Sequence, residues 1–136
     1  MKKRNESKIL IIVAMMWSAV AISSFPHVSS AAVTSNGNAE TGKQLFEKRC
    51  TGCHSLDNNK EGPRLRSVYG RHAGSVSDFS YSNELKAAHI VWDEQSLDQW
   101  LTNPDAVVPD NDMAFHVPNP QERADIIQFL RLSSGK

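Results

Sequence analysis

Two cysteines and a histidine within five residues constrain the fold of this chain more than any other feature. The segment Cys50-Thr51-Gly52-Cys53-His54 has the spacing C-x-x-C-H, the attachment pattern of a covalently bound c-type haem. Each thiol can close a thioether bond to the porphyrin, and the adjacent histidine then lies under the ring, where it can ligate the iron. We therefore predict that Cys50 and Cys53 hold one haem c and that His54 is an iron ligand.

Three other roles use closely spaced cysteines. A structural zinc site needs four ligands, and no further cysteine is present to complete a thiolate-rich one. A thioredoxin-like pair follows a strand in a βαβ pattern, whereas the residues before Cys50 have a helical pattern. A disulfide between these two thiols would close a short ring and would leave the adjacent histidine unexplained. The context therefore favours haem.

The first quarter of the chain has the pattern of a secretory signal peptide. Residues 1–8 carry four basic side chains, residues 9–22 form an uncharged, largely apolar run, and small residues at 29–32 offer a cleavage site. An uncleaved membrane anchor is the alternative, but a spanning helix needs about 20 apolar residues. We predict that residues 1–31 are a cleaved leader, that 32–38 are a flexible N-terminal lead, and that 39–136 are the domain. The mature protein is then periplasmic, without stable membrane insertion.

Removal of the leader changes the charge of the chain. The whole sequence has 15 basic and 15 acidic side chains, whereas residues 32–136 keep 11 basic and 14 acidic ones, a net charge of −3. A nucleic-acid-binding domain carries a basic patch or excess, so nucleic acid is not an expected partner. A domain of about 100 residues is small for a self-sufficient core, and a buried haem would add the apolar surface that it lacks.

Helical patterns alternate with long loops along the domain. Helices are predicted at 40–49, at 82–88, from Asp93 to about 102 and from Pro120 to about 132, with Asp93 and Asn119 as N-caps. Residues 56–61, 64–80 and 105–118 are predicted as loops, and no segment alternates as a strand does. Gly42 is a weak helix former, and we interpret it as a site of close approach to another helix. The pattern predicts an all-α fold whose loops pack on a central haem.

The sixth iron ligand has several candidates. Met113 is the only methionine after the leader, and it lies in a proline-containing loop between two helices. A neutral thioether ligand favours ferrous iron and raises the potential of an electron carrier. His116 is the next candidate, followed by His72 and His89. We predict His54 and Met113 as the axial pair.

A longer series of residues keeps its order and spacing across the domain. It comprises Gly42, Phe46, the C-T-G-C-H motif, Gly62-Pro63-Arg64-Leu65, Tyr69-Gly70-Arg71, Gly74, Phe79-Ser80-Tyr81-Ser82, Trp92, Leu101, Asn103-Pro104, Pro109 and Met113-Ala114-Phe115. With the last helix, this series resembles class I c-type cytochromes of the mitochondrial and periplasmic type over nearly all of residues 39–136. The resemblance implies the cytochrome c fold around a single haem. It also implies a soluble carrier that shuttles one electron between a donor dehydrogenase or membrane complex and a terminal oxidase or reductase.

The resemblance implies roles for individual residues as well. Pro63 matches the proline whose carbonyl accepts the N–H of the ligand histidine. Arg71, Tyr81 and Trp92 match residues around a buried haem propionate, where a cation and two donors offset the cost of burying a carboxylate.

The first and last helices are expected to cross. Gly42 and Phe46 match the positions of that crossing, here opposite Ile126 and Phe129. The same resemblance implies a monomer that docks redox partner proteins transiently at an exposed haem edge.

The sequence also departs from the family pattern. Trp100 stands where a tyrosine is common near the methionine sulfur, and Leu85 stands where an asparagine is common, so we expect a less polar distal side and a raised potential. Asp110, Asn111 and Asp112 stand where mitochondrial members have lysine, so docking to an acidic patch is not expected.

Two other functions remain open. A haem enzyme or ligand sensor of a peroxidase-like kind would use the same motif with a labile sixth ligand. A haem subunit of a dehydrogenase complex would share all of these sequence features. Because both axial positions are expected to be filled, we predict an electron carrier rather than an enzyme.

Overall fold

Five helices and the long loops between them make up residues 36–135, the part of the chain that this computed structural model describes. The helices are α1 (Ala39–Arg49), α2 (Asn83–Ala87), α3 (Glu94–Thr102), α4 (Pro104–Val107) and α5 (Pro120–Ser133). Within the described range there is no strand, and one antiparallel bridge joins His72 to Val91. The predicted all-α fold is thereby confirmed, whereas the predicted leader lies outside the described residues.

Side-chain caps determine where the helices begin. Asn119 accepts the backbone N–H groups of Gln121 and Glu122 at the start of α5, with Pro120 at its first position. Asp93 and Ser96 form a reciprocal capping box at the start of α3. Both predicted caps are confirmed. Local hydrogen bonding of this kind needs only residues within one turn, so the sequence pattern alone could identify it.

The prediction that residues 105–118 form one continuous loop is wrong at its start. Asn103 ends α3, as expected, because its N–H still bonds to the carbonyl of Gln99. Its side chain then accepts the N–H of Ala106, and Pro104 occupies the first position of a second helix. The same Asn-Pro pair therefore stops α3 and starts α4, since the fixed φ of proline suits a helix start.

Helices α1 and α5 cross in close contact. A Cβ atom on Gly42 would lie 1.9 Å from the carbonyl oxygen of Asp125, so the two backbones touch where the side chain is missing. The rings of Phe46 and Phe129 lie beside this point with centroids 5.3 Å apart. The backbone N–H of Asn38 donates to the Asp125 carboxylate, 2.7 Å away, which ties the start of α1 to α5. The expected crossing is confirmed.

The hydrophobic core lies among α1, α3 and α5 and reaches into the loops. Its buried members are Phe46, Val68, Ala73, Trp92, Leu97, Trp100, Leu101, Val108, Val117, Ile126, Ile127 and Leu130. Several apolar side chains pack against this core while keeping part of their surface exposed, among them Cys50, Leu65, Leu85 and Met113. No helix within residues 36–135 is long and apolar enough to cross a membrane.

Candidate haem site

The two cysteines lie where α1 ends. Cys50 caps the helix through an N–H bond to the carbonyl of Phe46, and its own carbonyl accepts the N–H groups of Cys53 and His54 at 3.1 and 2.8 Å. This turn folds the five-residue motif back on itself. Both thiols are free in the structure; Cys50 is half-buried and Cys53 is exposed.

The surroundings of Cys50 suit an uncharged sulfur. Burial raises the pKa of its thiol to about 11, although the nearby cation of Arg49 opposes the rise. A thioether carries no charge, so covalent attachment to haem fits this position.

His54 is held in one orientation and one tautomer. Its Nδ1 lies 2.8 Å from the carbonyl oxygen of Pro63. A carbonyl can only accept, so Nδ1 carries the proton and Nε2 keeps a free lone pair for a metal. Burial lowers the pKa of His54, which favours the neutral ring that metal binding requires. The contact expected of Pro63 is present, and the ligand role of His54 stays a prediction.

Gly62 completes the support of the imidazole ring. A Cβ atom at this position would lie 2.3 Å from Cε1 of His54, well inside van der Waals contact. The backbone of Gly62 therefore lies directly against the ring, and any side chain here would displace it.

The sulfur of Met113 accepts a hydrogen bond. Nε1 of Trp100 donates to Sδ at a distance of 3.0 Å, and the ring of Trp92 packs against Trp100 at 5.2 Å in an edge-on arrangement. The expectation that Trp100 removes a polar group from the distal side is therefore wrong, because its indole N–H reaches the sulfur. Leu85 does place an apolar side chain against the core.

Arg71 has an unused donor inside the protein. Its two Nη atoms donate to the backbone carbonyls of Arg66 and Arg64, at 3.2 and 2.9 Å, while Nε is buried without an acceptor. Two other arginines, Arg49 and Arg131, also have a buried Nε without a partner. An unpaired buried donor is costly, and a haem carboxylate beside Arg71 would supply the missing acceptor.

The structure brings the three expected propionate residues close together. The backbone N–H of Trp92 donates to the carbonyl of Arg71 at 2.9 Å. Burial raises the pKa of the Tyr81 phenol, whereas the contact of its hydroxyl with the Val76 backbone and the nearby cation of Arg71 oppose the rise. Trp92 is itself buried. This donor set fits a buried carboxylate, and the propionate role of these residues stays a prediction.

The other candidate ligands lie in different settings. His72 pairs with Val91 in the isolated bridge, and His89 and His116 are exposed. Among residues 36–135, no group of three or more histidine, cysteine or acidic side chains could hold a metal ion by itself.

Sequence reasoning missed one residue of this site, Asn111. In the sequence it stands out only as part of a run at positions where mitochondrial members have lysine. In the structure its side chain bonds to the Met113 backbone N–H, to Asp105 in α4 and to the carbonyl of Val108, the residue after α4. The side-chain oxygen of an asparagine can accept the backbone N–H of the residue two positions further on, in an Asx turn. The two-residue spacing between Asn111 and Met113 was the signal that could have identified this contact.

Comparison with known proteins identifies a family model and several relatives that this chain resembles. A family model described as cytochrome c matches residues 39–134. Cytochrome c of Euglena viridis is 45% identical over 98 residues, covering 70% of this chain and 96% of the relative. Cytochrome c2 of Rhodomicrobium vannielii is 41% identical over 113 residues, covering 80% of this chain and 90% of the relative. The solved structure of cytochrome cH from Methylobacterium extorquens superimposes with a TM-score of 0.67 at 35% identity, covering 71% of this chain and 99% of that one.

Proposed function

Because this chain belongs to the cytochrome c family, we propose that it is a soluble periplasmic electron carrier whose iron is ligated by His54 and Met113. Membership establishes the coarser part of this function. The protein binds one covalent haem c, for which Cys50 and Cys53 form the C-x-x-C-H motif, and it is an electron carrier rather than an enzyme.

One observation supports the axial pair above all others: both side chains are already oriented by hydrogen bonds. Pro63 holds the ring of His54 through Nδ1, and Trp100 holds the sulfur of Met113. The haem supplies the one-electron chemistry when it is bound. The chain's own contribution is to keep a neutral nitrogen and a neutral sulfur in place, which leaves no open position for a substrate.

The periplasmic location rests on the leader. Residues 1–31 have a basic start, an apolar run and a small-residue cleavage site. The similarity to a bacterial cytochrome c2 is consistent with export. N-terminal sequencing of the protein recovered from a periplasmic fraction should begin at residue 32 or 33. A mature chain that still begins at Met1 would contradict export by cleavage.

The protein acts with redox partner proteins, as members of its family do. We place their docking at the haem edge, near the exposed Cys53 and the exposed Phe115 beside Met113. Such an interface is small and weak, as electron-transfer encounters are. The donor is then a dehydrogenase or membrane complex, the acceptor is a terminal oxidase or reductase, and the carrier itself is a monomer.

The optical spectrum of the ferric protein tests the axial pair. Methionine ligation gives a weak far-red sulfur-to-iron charge-transfer band, and a filled sixth position slows the binding of added cyanide. We expect the band to be present and cyanide to bind slowly, and we expect Met113→Ala to abolish the band. A wild-type protein without the band that binds cyanide rapidly would instead favour an enzyme or a ligand sensor.

A further inference from the structure

The segment that carries Met113 has little backbone support of its own. Residues 109–116 run between two anchored valines, whose side chains are buried. The N–H of Val108 donates to the carbonyl of Pro104 at 2.9 Å, and the N–H of Val117 donates to the carbonyl of Leu101 at 2.7 Å. Between these anchors, no residue of 109–116 forms a backbone-to-backbone hydrogen bond with any residue in the described range 36–135. Side chains must therefore determine the shape of this loop.

The side chain of Asn111 makes three hydrogen bonds in this loop. Its Nδ2 donates to the carboxylate of Asp105 at 2.9 Å and to the carbonyl of Val108 at 2.8 Å. Its Oδ1 accepts the backbone N–H of Met113 at 2.7 Å. One amide thus connects helix α4, the residue that follows it and the backbone of the proposed ligand. We call these three bonds the Asn111 clamp.

The loop contains one residue in a disfavoured backbone conformation. Asp110 has φ +60°, in the left-handed region that residues with a side chain adopt less readily than glycine. This conformation favours an opened loop, and the Asn111 clamp opposes it.

We propose that Asn111 is the positioning residue of the sixth ligand: its clamp holds the backbone of Met113 so that the sulfur stays available to the iron. This inference rests on the proposed function, in which Met113 is that ligand. Trp100 contacts the sulfur itself, whereas Asn111 controls the chain that carries it. Without the clamp, the loop opens more often and external ligands reach the sixth position faster.

The test compares Asn111→Ala with Asn38→Ala in the haem-loaded mature protein. Asn38 is a matched control, because its Oδ1 also accepts backbone N–H groups, those of Glu40 and Thr41, but at the start of α1. Three readouts are taken from each ferric variant: the rate of cyanide binding, the intensity of the far-red charge-transfer band and the midpoint of denaturant unfolding. The first two report on the ligand loop, and the third reports on the whole molecule.

We expect Asn111→Ala to bind cyanide about tenfold faster than the wild type, which corresponds to about 1.4 kcal/mol and to the loss of one or two net hydrogen bonds. Its charge-transfer band should weaken. The control should unfold at a lower denaturant concentration, because a helix cap is lost. Its cyanide rate should stay within about twofold of the wild-type rate, since its bonds lie on another helix.

Two further variants keep the test decisive if Asn111→Ala does not fold. Asp105→Ala removes one acceptor and leaves Asn111 unchanged, so it should bind cyanide faster than the wild type. Asn111→Asp retains an oxygen that can accept the N–H of Met113, but it loses the two Nδ2 bonds and brings a second carboxylate against that of Asp105, so it should bind cyanide faster than Asp105→Ala. In the double variant Asp105→Ala/Asn111→Ala the two effects should not add, because the side chains share a hydrogen bond.

The outcomes separate this inference from the proposed function. A normal band in the wild type, with faster cyanide binding only in the Asn111 and Asp105 variants, supports the positioning role. A normal band with unchanged cyanide rates in those variants overturns the role and leaves the electron-carrier function standing. Absence of the band from the wild type overturns the axial pair, and the inference with it.

Discussion

The two proposed axial side chains are each oriented by a single hydrogen bond from a distant part of the chain. Nδ1 of His54 donates to the carbonyl of Pro63, and the sulfur of Met113 accepts from Nε1 of Trp100. The first bond fixes a tautomer, and the second changes the electron density on the sulfur. Ligand identity and hydrogen bonds to the ligands are two of the factors by which a protein sets a haem potential.

Substitution of Trp100 by phenylalanine should lower the reduction potential. The variant keeps an aromatic ring but loses the N–H, whose positive end faces the sulfur and disfavours the extra charge of ferric iron. A hydrogen bond of about 1 kcal/mol that acts unequally on the two redox states corresponds to a shift on the order of 20–40 mV. Potentiometric titration of the haem-loaded protein measures it. Trp100→Tyr, which supplies a hydroxyl donor, should shift the potential less; a raised potential in the phenylalanine variant would contradict this account.

Leu85→Asn tests the apolar part of the same expectation. Leu85 packs against the core with part of its surface exposed, and an amide there would stabilise the extra charge of the ferric state. We expect the potential to fall, by an amount on the order of 20–40 mV for one added polar contact. The same titration measures it, with Ala87→Asn on the exposed end of α2 as the control. An unchanged potential in Leu85→Asn would show that the residue does not influence the iron.

At the scale of secondary structure, the crossing of α1 and α5 joins the haem motif to the end of the chain. The bond from Asn38 to Asp125 ties the start of α1 to α5. At the other end of α1, Arg49 pairs with Glu122 in the first turn of α5. Between these ties, Gly42 lets the two backbones touch. The position of the Cys50–His54 turn therefore depends on how closely these two helices approach.

Gly42→Ala should strongly destabilise the protein. Alanine is favoured over glycine in a helix by about 1 kcal/mol, but its Cβ would lie 1.9 Å from the carbonyl oxygen of Asp125. A clash with backbone cannot be relieved by a rotamer change, so we expect a net loss of about 3 kcal/mol in the free energy of unfolding. Denaturant unfolding measures this loss. Gly52→Ala is the control, because nothing lies within 4 Å of its Cβ position; equal stabilities of the two variants would refute the close crossing.

At the scale of the whole molecule, the charge distribution distinguishes this chain from family members that have lysines on the docking face. Residues 32–136 have a net charge of −3, and the segment before Met113 contains three aspartates and no lysine or arginine. Two of the remaining basic side chains, Arg64 and Arg66, form ion pairs with Asp78 and Asp57. Such exposed pairs add little stability, but they cancel positive charge that could have attracted an acidic partner.

Electron exchange with a cationic reagent should therefore slow as ionic strength rises. Salt screens the attraction between opposite charges, with a Debye length of about 10 Å at 0.1 M. Stopped-flow oxidation of the ferrous protein by the cation tris(1,10-phenanthroline)cobalt(III), with anionic ferricyanide as the control, should give rates of opposite salt dependence. Asp112→Lys should make the rate of electron exchange with the cation depend less on ionic strength. Rates with the cation that rise with salt would contradict this account, because they would mean that positive charge surrounds the site of electron exchange.

Local chemistry explains why much of this protein could be predicted from its sequence. The C-x-x-C-H motif, the caps at Asp93 and Asn119, and the close approach at Gly42 each depend on residue types whose possible roles are few. The family resemblance supplied the fold, and family comparison confirms it. The cofactor follows from the motif and the family together.

Contacts between segments were decided only by the tertiary structure. The family resemblance placed Trp100 near the sulfur of Met113, thirteen residues away, but only the structure shows that its N–H donates to that sulfur. The second role of Asn103 as the cap of α4, and the bonds from Asn111 to Asp105 and Val108, depend likewise on how the chain turns after α3. A hydrogen bond needs its partners within about 3 Å and at a suitable angle. The sequence determined which donors and acceptors this chain contains, and the fold decided which of them meet.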